Sequence, residues 1–558
     1  MRKRGAMSTS MKKASWVRRT ALLMAAALLV AGCSSDGDSS ESTGGQTTRP
    51  ESVERIRLAG GDFGYPTPFA YVRGPGMIQT GYLFDTLLWE DSTGKPGPWL
   101  AREWSQSPDG LEWRFTIRDN VKWHDGQPLT AEDVKFSFEY ITSGPGATGA
   151  SRVDLKEVVA ESPTTVVIRL NNPNAVFEEN VGMRVFIIPR HVWSSVTDPT
   201  KYREATATMG SGPYKLQSFD EAAGSYLYTA NEQFFLGVPY VRRLEFVPAP
   251  DELLGLQRGE IDAAELSEEP APEEQLKAFE SDPKFGKLEG SGDWNLALNF
   301  NLSKGFPYDD KRFRHAVAYA INRPDMVDRL LLGRGAPAST AGLAGDHEML
   351  APGLPTYDHD VAKARALLDE LGMKDTNGDG LRELPDGGKF VQELQSSSRF
   401  TPKSPELIKE YLRAVGIDVN VQVLDRAAAD DNAGKGNYTM TLVGYGGIAG
   451  DADGLRGRYA APRNSTSFSR AIGYTNPAFT DAANKQLTAL NETARKDLVY
   501  QMQRIVAEDL PILPLYVPQR VAFFSKAAFD NWYYTPGCSP CRGTRNKHMY
   551  VTGQKTGL

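Results

Sequence analysis

The stretch SPELIKEYLRAVGIDVNVQV, residues 404–423, changes period halfway along. Leu407, Ile408, Tyr411, Leu412 and Val415 recur at helical spacing, so one face of the segment is apolar. Ser404 is placed to cap that helix, Pro405 to open it and Gly416 to stop it. From Ile417 the spacing becomes strictly alternate through Val419, Val421 and Val423, as in a strand with one buried side. A helix feeding directly into a strand is the grammar of an α/β lobe.

The same grammar recurs on either side. In DHDVAKARALLDELG, 358–372, the residues Val361, Ala364, Leu367, Leu368 and Leu371 line one helical face and Gly372 ends it. ARKDLVYQMQRIVAEDLPILPLYV, 494–517, reads as a helix, a proline break and an apolar strand. Upstream, LEWRFTIRDNVKW alternates through Trp113, Phe115 and Ile117, then Val121 and Trp123, which predicts two strands about a turn at Asp119-Asn120. Thr130 and Asp133 then fit a capping box that opens a helix carrying Val134, Phe136 and Phe138. At 558 residues the chain is too long for one core, so two or more domains are expected.

The first residues differ from this body. Seven basic residues and no acid precede the apolar run ALLMAAALLVAG, 21–32, which is too short to span a membrane and reads as a secretory signal over 1–32. Val30-Ala31-Gly32-Cys33 resembles a lipobox, which implies lipidation at Cys33; an ordinary cleaved signal is the alternative. The polar tract that follows, residues 33–52, cannot form a core and reads as a flexible tether. Without the seven bases the chain carries 56 basic against 70 acidic residues, a net charge of −14, which argues against nucleic acid as a partner. Cys538 and Cys541 are then an even pair in an oxidising compartment, read as a small local disulfide, with a redox or metal role as the alternative.

Local catalytic signatures are absent: no HExxH, GxSxG or GxxxxGK[ST] occurs. GYGGIA, 444–449, matches GxGxxA after a plausible strand, but the following GDADGLRGR reads as a loop and not as the helix a pyrophosphate needs. DTNGDGLRELPD, 375–386, sets Asp375, Asn377, Asp379, Gly380 and Asp386 at positions 1, 3, 5, 6 and 12 of an EF-hand-like loop, where alternate oxygen ligands suit a structural Ca²⁺. A tight hairpin at Asn-Gly and Asp-Gly is the other reading. No other cofactor is expected.

Several blocks together resemble the family 5 bacterial extracellular solute-binding proteins, the oligopeptide-, dipeptide- and nickel-type receptors of ABC importers. They are WLAREWSQSPDGLEWRFTIRDNVKWHDGQPLTAEDVKFSF at 99–138, GSGPYKLQSF at 210–219, LALNFNLSKGFPYDDKRFRHAVAYAINRPDMV at 296–327, YDHDVAKARALLDELG at 357–372 and EDLPILPLYV at 508–517. The resemblance implies an α/β, two-lobed periplasmic-binding-protein-like fold (type II, cluster C) with an extra subdomain in lobe I. Lobe I would hold 53–297 plus 515–558, its extra subdomain about 87–212, and lobe II 298–514, with hinges near LNFNL and PILPLYV. It also implies that His124-Asp125-Gly126 is an architectural turn and not an acid–base pair.

By the same resemblance the chain is no enzyme but an extracytoplasmic receptor, a monomer held on the outer face of the cell membrane by its lipid anchor. It would capture short peptides and deliver them to the permease. Peptide-binding members hold the ligand's α-amino group with a lobe II aspartate on a glycine-containing stretch. That points to Asp451, then Asp453, although the glycines and Asp453-Gly454 depart from the family form. Phe63, Tyr65, Tyr82, Trp294 and Asn295 are candidate pocket residues, with core packing the alternative for each aromatic. Rival readings are another solute (a nickel chelate, haem, an oligosaccharide, an opine), a signalling peptide, or a secreted hydrolase.

Overall fold

A computed structural model describes residues 51–558 apart from 92, 146–153, 267–272, 291–293, 346, 399, 447–450, 461–471, 534–546 and 555–558. The expected lipidation site Cys33 and the pair Cys538 and Cys541 lie outside the described residues, as do the signal and almost all of the tether.

The opening stretch folds as a helix, Lys403–Ala414, and a strand, Asp418–Leu424. Leu407, Ile408, Tyr411, Leu412 and Val415 are all buried, as their spacing requires. Gly416 stops the helix at φ +89°, a left-handed conformation that glycine adopts without a Cβ clash. The start differs from expectation. Pro402 takes the cap position, and Ser404 is the second residue of the helix, fully buried with its hydroxyl 3.4 Å from that of Tyr516. The strand is an edge strand, so its alternation fades outward: Val419 is buried while Val423 is 50% exposed.

This strand closes a six-stranded mixed sheet in the order Gly335–Pro337, Ile512–Pro518, Trp294–Phe300, Met440–Gly446, Val391–Ser397, Asp418–Leu424. The last three pair in parallel through helical crossovers, and the first three are antiparallel. One face of the sheet packs on the helices Lys311–Ala320, Arg323–Leu331, Val361–Glu370 and Lys403–Ala414. The other packs on Gly454–Tyr459, Pro477–Thr488 and Glu492–Asp509.

Residues outside 294–518 build separate cores. A four-stranded sheet in the order Ile56–Ala59, Arg243–Val247, Ser225–Ala230, Tyr214–Asp220 and a three-stranded sheet in the order Ala263–Leu266, Arg520–Ser525, Phe285–Gly290 form the first lobe. A second four-stranded sheet, in the order Ala101–Gln106, Glu112–Ile117, Thr165–Leu170, Leu155–Ser162, packs under the helix Ala131–Thr142 with a tryptophan-rich core of its own. Thr130 and Asp133 form the expected capping box there, Asp133 accepting the Thr130 N–H at 2.9 Å. The strand expected at 121–123 does not form; only Lys122 bridges Pro128, because the chain turns back at Gly126 to start the helix.

Among the described residues the chain changes sheet between the lobes twice, between the strand ending at Gly290 and the one starting at Trp294, and at Gln519. The strands Trp294–Phe300 and Ile512–Pro518 stay whole within the second lobe's sheet, which moves the crossings from 297/298 and 514/515 to the far ends of these strands.

Candidate functional site

After the strand Met440–Gly446 the described chain returns at Asp451 and, instead of the expected loop, enters the short helix Gly454–Tyr459. Asp451 is buried against Arg495 of the helix Glu492–Asp509, their side chains 9% and 8% exposed. Its Oδ1 accepts from Arg495 and from the Asp453 N–H at 2.7 Å, and its Oδ2 takes no hydrogen bond among the described residues.

Asp453 is different. Arg456 grips it with two hydrogen bonds at 2.6 and 2.7 Å, and Gln486 donates to it at 2.5 Å. Arg495 in turn donates to Gln486 at 3.2 Å, so one network joins both aspartates. Asp453 is saturated by the protein itself, which removes the reason for reading it as a second anchor for a ligand's amino group. Arg456, three residues on in the same helix, was readable from spacing; Gln486 and Arg495 were not, since no local pattern links them to 451.

The other candidates scatter. Tyr82 is fully buried, at 0% exposure, among Tyr214, Tyr228, Phe246 and Tyr550 in the first lobe's core. Its reading as a pocket residue is corrected to core packing. Phe63 is buried and stacked on Tyr226, whose hydroxyl receives the Phe63 N–H at 3.2 Å. Tyr65 is half-buried with the Arg203 guanidinium 5.1 Å over its ring. Trp294 pairs with Gly446 and Asn295 with Tyr445 across neighbouring strands. Asn295 is 3% exposed, and its Oδ1 has no hydrogen-bond partner among the described residues. Two residues on, Ala297 packs in one cluster with Ala452 and Leu455. By strand alternation Asn295 therefore lies on the sheet face that carries the Asp451 segment.

His124 is architectural. Its backbone N–H donates to Gly210 O at 2.8 Å, and its ring bridges the Gly210 N–H on Nδ1 at 3.2 Å and Gly212 O through Nε2 at 3.1 Å. Burial pushes the imidazole down to about 4. The GSGP block owes its glycines to this seam: a Cβ on Gly210 or Gly212 would meet the Leu83 carbonyl oxygen at 1.8 or 2.6 Å.

In the 375–386 loop the carboxylates that converge are Asp375, Asp379 and Glu383, whose oxygens lie within 4.8 Å of one another. Asp386 is not among them. It caps its own turn by accepting the Gly388 N–H at 2.9 Å, because the bridges of Glu383 to Lys374 and Lys389 fold the chain back before position 12. Asn377 donates to Glu383 at 2.7 Å, and Gly378 and Gly380 donate to Asp375 at 2.6 and 2.9 Å, so the loop's own donors occupy these acids.

The Asp451 network also touches the first lobe. Asn180, in the π-helical turn Glu178–Gly182, donates to Asp453 Oδ2 at 3.2 Å, and the Ala175 N–H donates to Leu487 O at 2.7 Å. Next to Asn180, burial pushes the Glu179 carboxyl up to about 7, Asp451 and Glu178 pushing the same way and Arg495 opposing. These residues escape sequence reasoning, since Asn180 and Asp453 are 273 positions apart.

A profile of the bacterial extracellular solute-binding proteins, family 5 Middle, matches residues 95–467. The oligopeptide-binding protein AppA of Bacillus subtilis is 26% identical over 530 residues, covering 90% of this chain and 94% of that protein. A probable di/tripeptide-binding protein 5 of Pseudomonas aeruginosa is 26% identical over 490 residues, 82% of this chain and 89% of that one. Among solved structures, NikZ of Campylobacter jejuni with Ni(L-His) superposes with a TM-score of 0.76 at 22% identity, over 90% of this chain and 99% of that one. Bacillus subtilis AppA with a nonapeptide gives 0.74 at 21%, over 91% and 99%. These likenesses show the two-lobed fold, and since the profile spans more than half of its length, the chain belongs to the bacterial extracellular solute-binding proteins of family 5.

Proposed function

We propose that this extracellular solute-binding protein serves an ABC importer by capturing short peptides between its lobes and delivering them to the permease, with no covalent step. The observation that carries the peptide reading is the near end-to-end similarity to AppA of Bacillus subtilis, named as an oligopeptide-binding protein. The site is compatible with it. Among the described residues one Asp451 carboxylate oxygen takes no hydrogen bond, which suits a ligand's α-amino group, and Asn295 offers a buried acceptor on the same sheet face. Backbone hydrogen bonds to an extended ligand give affinity that does not depend on its sequence.

We place the protein on the outer face of the cell membrane through lipid on Cys33, as a monomer. No helix among the described residues is long and apolar enough to cross a membrane. Two or more acyl chains hold a protein firmly where one does not. Cys33→Ser is expected to move the protein from the membrane to the medium fraction.

Native mass spectrometry of the protein as purified tests the cargo. A ladder of co-purified peptide masses is expected. A single metal chelate, glycan or opine mass would replace peptide with another solute, a rival kept open by fold neighbours bound to Ni(L-His), agropinic acid and mannohexaose.

A further inference from the structure

The first lobe's tryptophan-rich sheet turns one end toward the second lobe. Glu112 pairs with Arg169 across neighbouring strands, and the Leu170 N–H donates to Leu111 O at 2.9 Å, so the hairpin tip at 107–111 and the segment leaving Leu170 lie side by side. Gly110 turns that tip at φ +72°, a left-handed conformation that glycine adopts at no steric cost. The same glycine leaves a seat. A Cβ on it would meet the two Leu490 Cδ atoms at 2.7 and 3.0 Å and Pro173 Cβ at 3.1 Å, so Leu490 of the second lobe rests where a side chain would stand. Beside this seat the Ala175 N–H donates to Leu487 O at 2.7 Å. Leu487 lies in the last turn of the helix Pro477–Thr488, where carbonyls lack partners inside the helix, and the first lobe supplies one. Asn180 adds its bond to Asp453 Oδ2 at 3.2 Å. We propose that these contacts form a latch that holds the lobes together without cargo, with Leu490 as its peg and Gly110 as its seat.

The contacts are built to be made and broken. No backbone runs through the seam, so rotation about the crossings after Gly290 and at Gln519 leaves it free to part. Neither lobe needs it to fold, because each has cores of its own. Leu490 stays 42% exposed against its seat, so the second lobe's interior does not depend on it. Asp453 keeps Arg456 and Gln486 when Asn180 leaves. A contact present in only one of two arrangements shifts their ratio by its whole worth, and a single hydrogen bond is enough to move that ratio about fivefold. The latch therefore favours the closed form whether or not the cleft is filled, and cargo adds its own contacts to a balance already tilted toward closure.

The latch acts only in a protein whose lobes close on a solute, so it rests on the receptor reading. Its test is small-angle scattering of the full chain, freed of solute by dialysis from guanidinium chloride and shown empty by native mass spectrometry. Four variants are compared with wild type. Leu490→Ala removes the peg. Gly110→Asn blocks the seat with a residue that tolerates the left-handed turn, and Asn180→Ala removes the side-chain bond. Leu332→Ala is the control: it trims another exposed leucine, at the end of the helix Arg323–Leu331 on the opposite face of the second lobe's sheet. Empty wild type and Leu332→Ala are expected to share a small radius of gyration, and the three seam variants to give a larger one, with faster hydrogen exchange at the Ala175 amide. Seam variants as compact as wild type, an empty wild type already as expanded as they are, or equal expansion in Leu332→Ala would each overturn the latch while leaving the peptide-mass ladder untouched. A ladder without peptides, beside seam variants that still expand, would overturn the cargo and leave the latch.

Discussion

Two buried charge clusters in this molecule solve the same problem in opposite ways. In the first lobe Lys547 and Asp85 form an ion pair at 2.6 Å with both side chains at 0% exposure. Lys547 also donates to Gly81 O at 2.8 Å and lies over the rings of Trp89 and Trp99. Asp85 accepts in addition from Trp99 Nε1 at 2.7 Å and Ser211 at 2.8 Å. Both ions are satisfied, and they rivet the C-terminal helix His548–Thr552 to the helix Arg73–Leu83. The interlobe cluster pairs Asp451 with Arg495 and Asp453 with Arg456 within the second lobe, and takes one further hydrogen bond from Asn180 of the first. A cluster inside one lobe has one arrangement, whereas one that reaches across a boundary between lobes has two, and their balance can be tipped.

The largest expected effect breaks the rivet. Lys547→Met leaves Asp85 buried without its cation, and removing one partner of a buried pair costs about 3–5 kcal/mol. A urea titration should show the loss as a lower unfolding midpoint. Arg495→Met deletes a similar cation from Asp451, but here the lobes can part and let water reach the carboxylate. The loss should be smaller, about 1.5–3 kcal/mol as for hydrogen bonds to charged groups, and accompanied by expansion in scattering. Equal losses from the two variants, with no expansion, would erase the distinction between the clusters.

Proton response separates the regions next, because its sign is reversed. His124 and His548 are held neutral in the first lobe, each pushed down to about 4 by burial. The unfolded chain takes up these protons near 6.5, so the folded state loses stability as pH falls from about 6.5 toward 4, by roughly 2–3 kcal/mol for a fully buried imidazole. Glu179 works the other way: burial pushes its carboxyl up to about 7, so falling pH relieves its cost in the folded state. Thermal melts from pH 7 to 4 should therefore show falling stability, flattened in His124→Gln.

What the sequence made legible follows the reach of each force. Capping at Thr130, the stop at Gly416 and the buried stripe of 407–415 depend on neighbours within a few residues, and they were readable. Even there a boundary slipped, since Ser404 is buried by the tertiary contact with Tyr516 and not used as a cap. Tyr82 was misread because an aromatic in a helix carries no mark of which side the sheets will close over. Asp386 was misread because a ligand loop was counted by spacing while the chain folded back at Glu383. The interlobe cluster was invisible for the same reason as the rivet: Lys547 and Asp85 stand 462 positions apart, and only the assembled lobes bring such pairs together.

The smallest change sharpens the comparison most. Asn180→Ala removes one neutral donor from an aspartate that keeps Arg456 and Gln486, so nothing is left buried and unpaired. A hydrogen bond of this kind contributes about 0.5–1.5 kcal/mol. Each lobe retains its own core, so chemical unfolding should barely move. The closed–open balance is set by a few such contacts, and about 1 kcal/mol shifts it roughly fivefold. A variant that leaves the urea midpoint in place yet opens the lobes at neutral pH would separate the energy that folds this protein from the energy that shuts it.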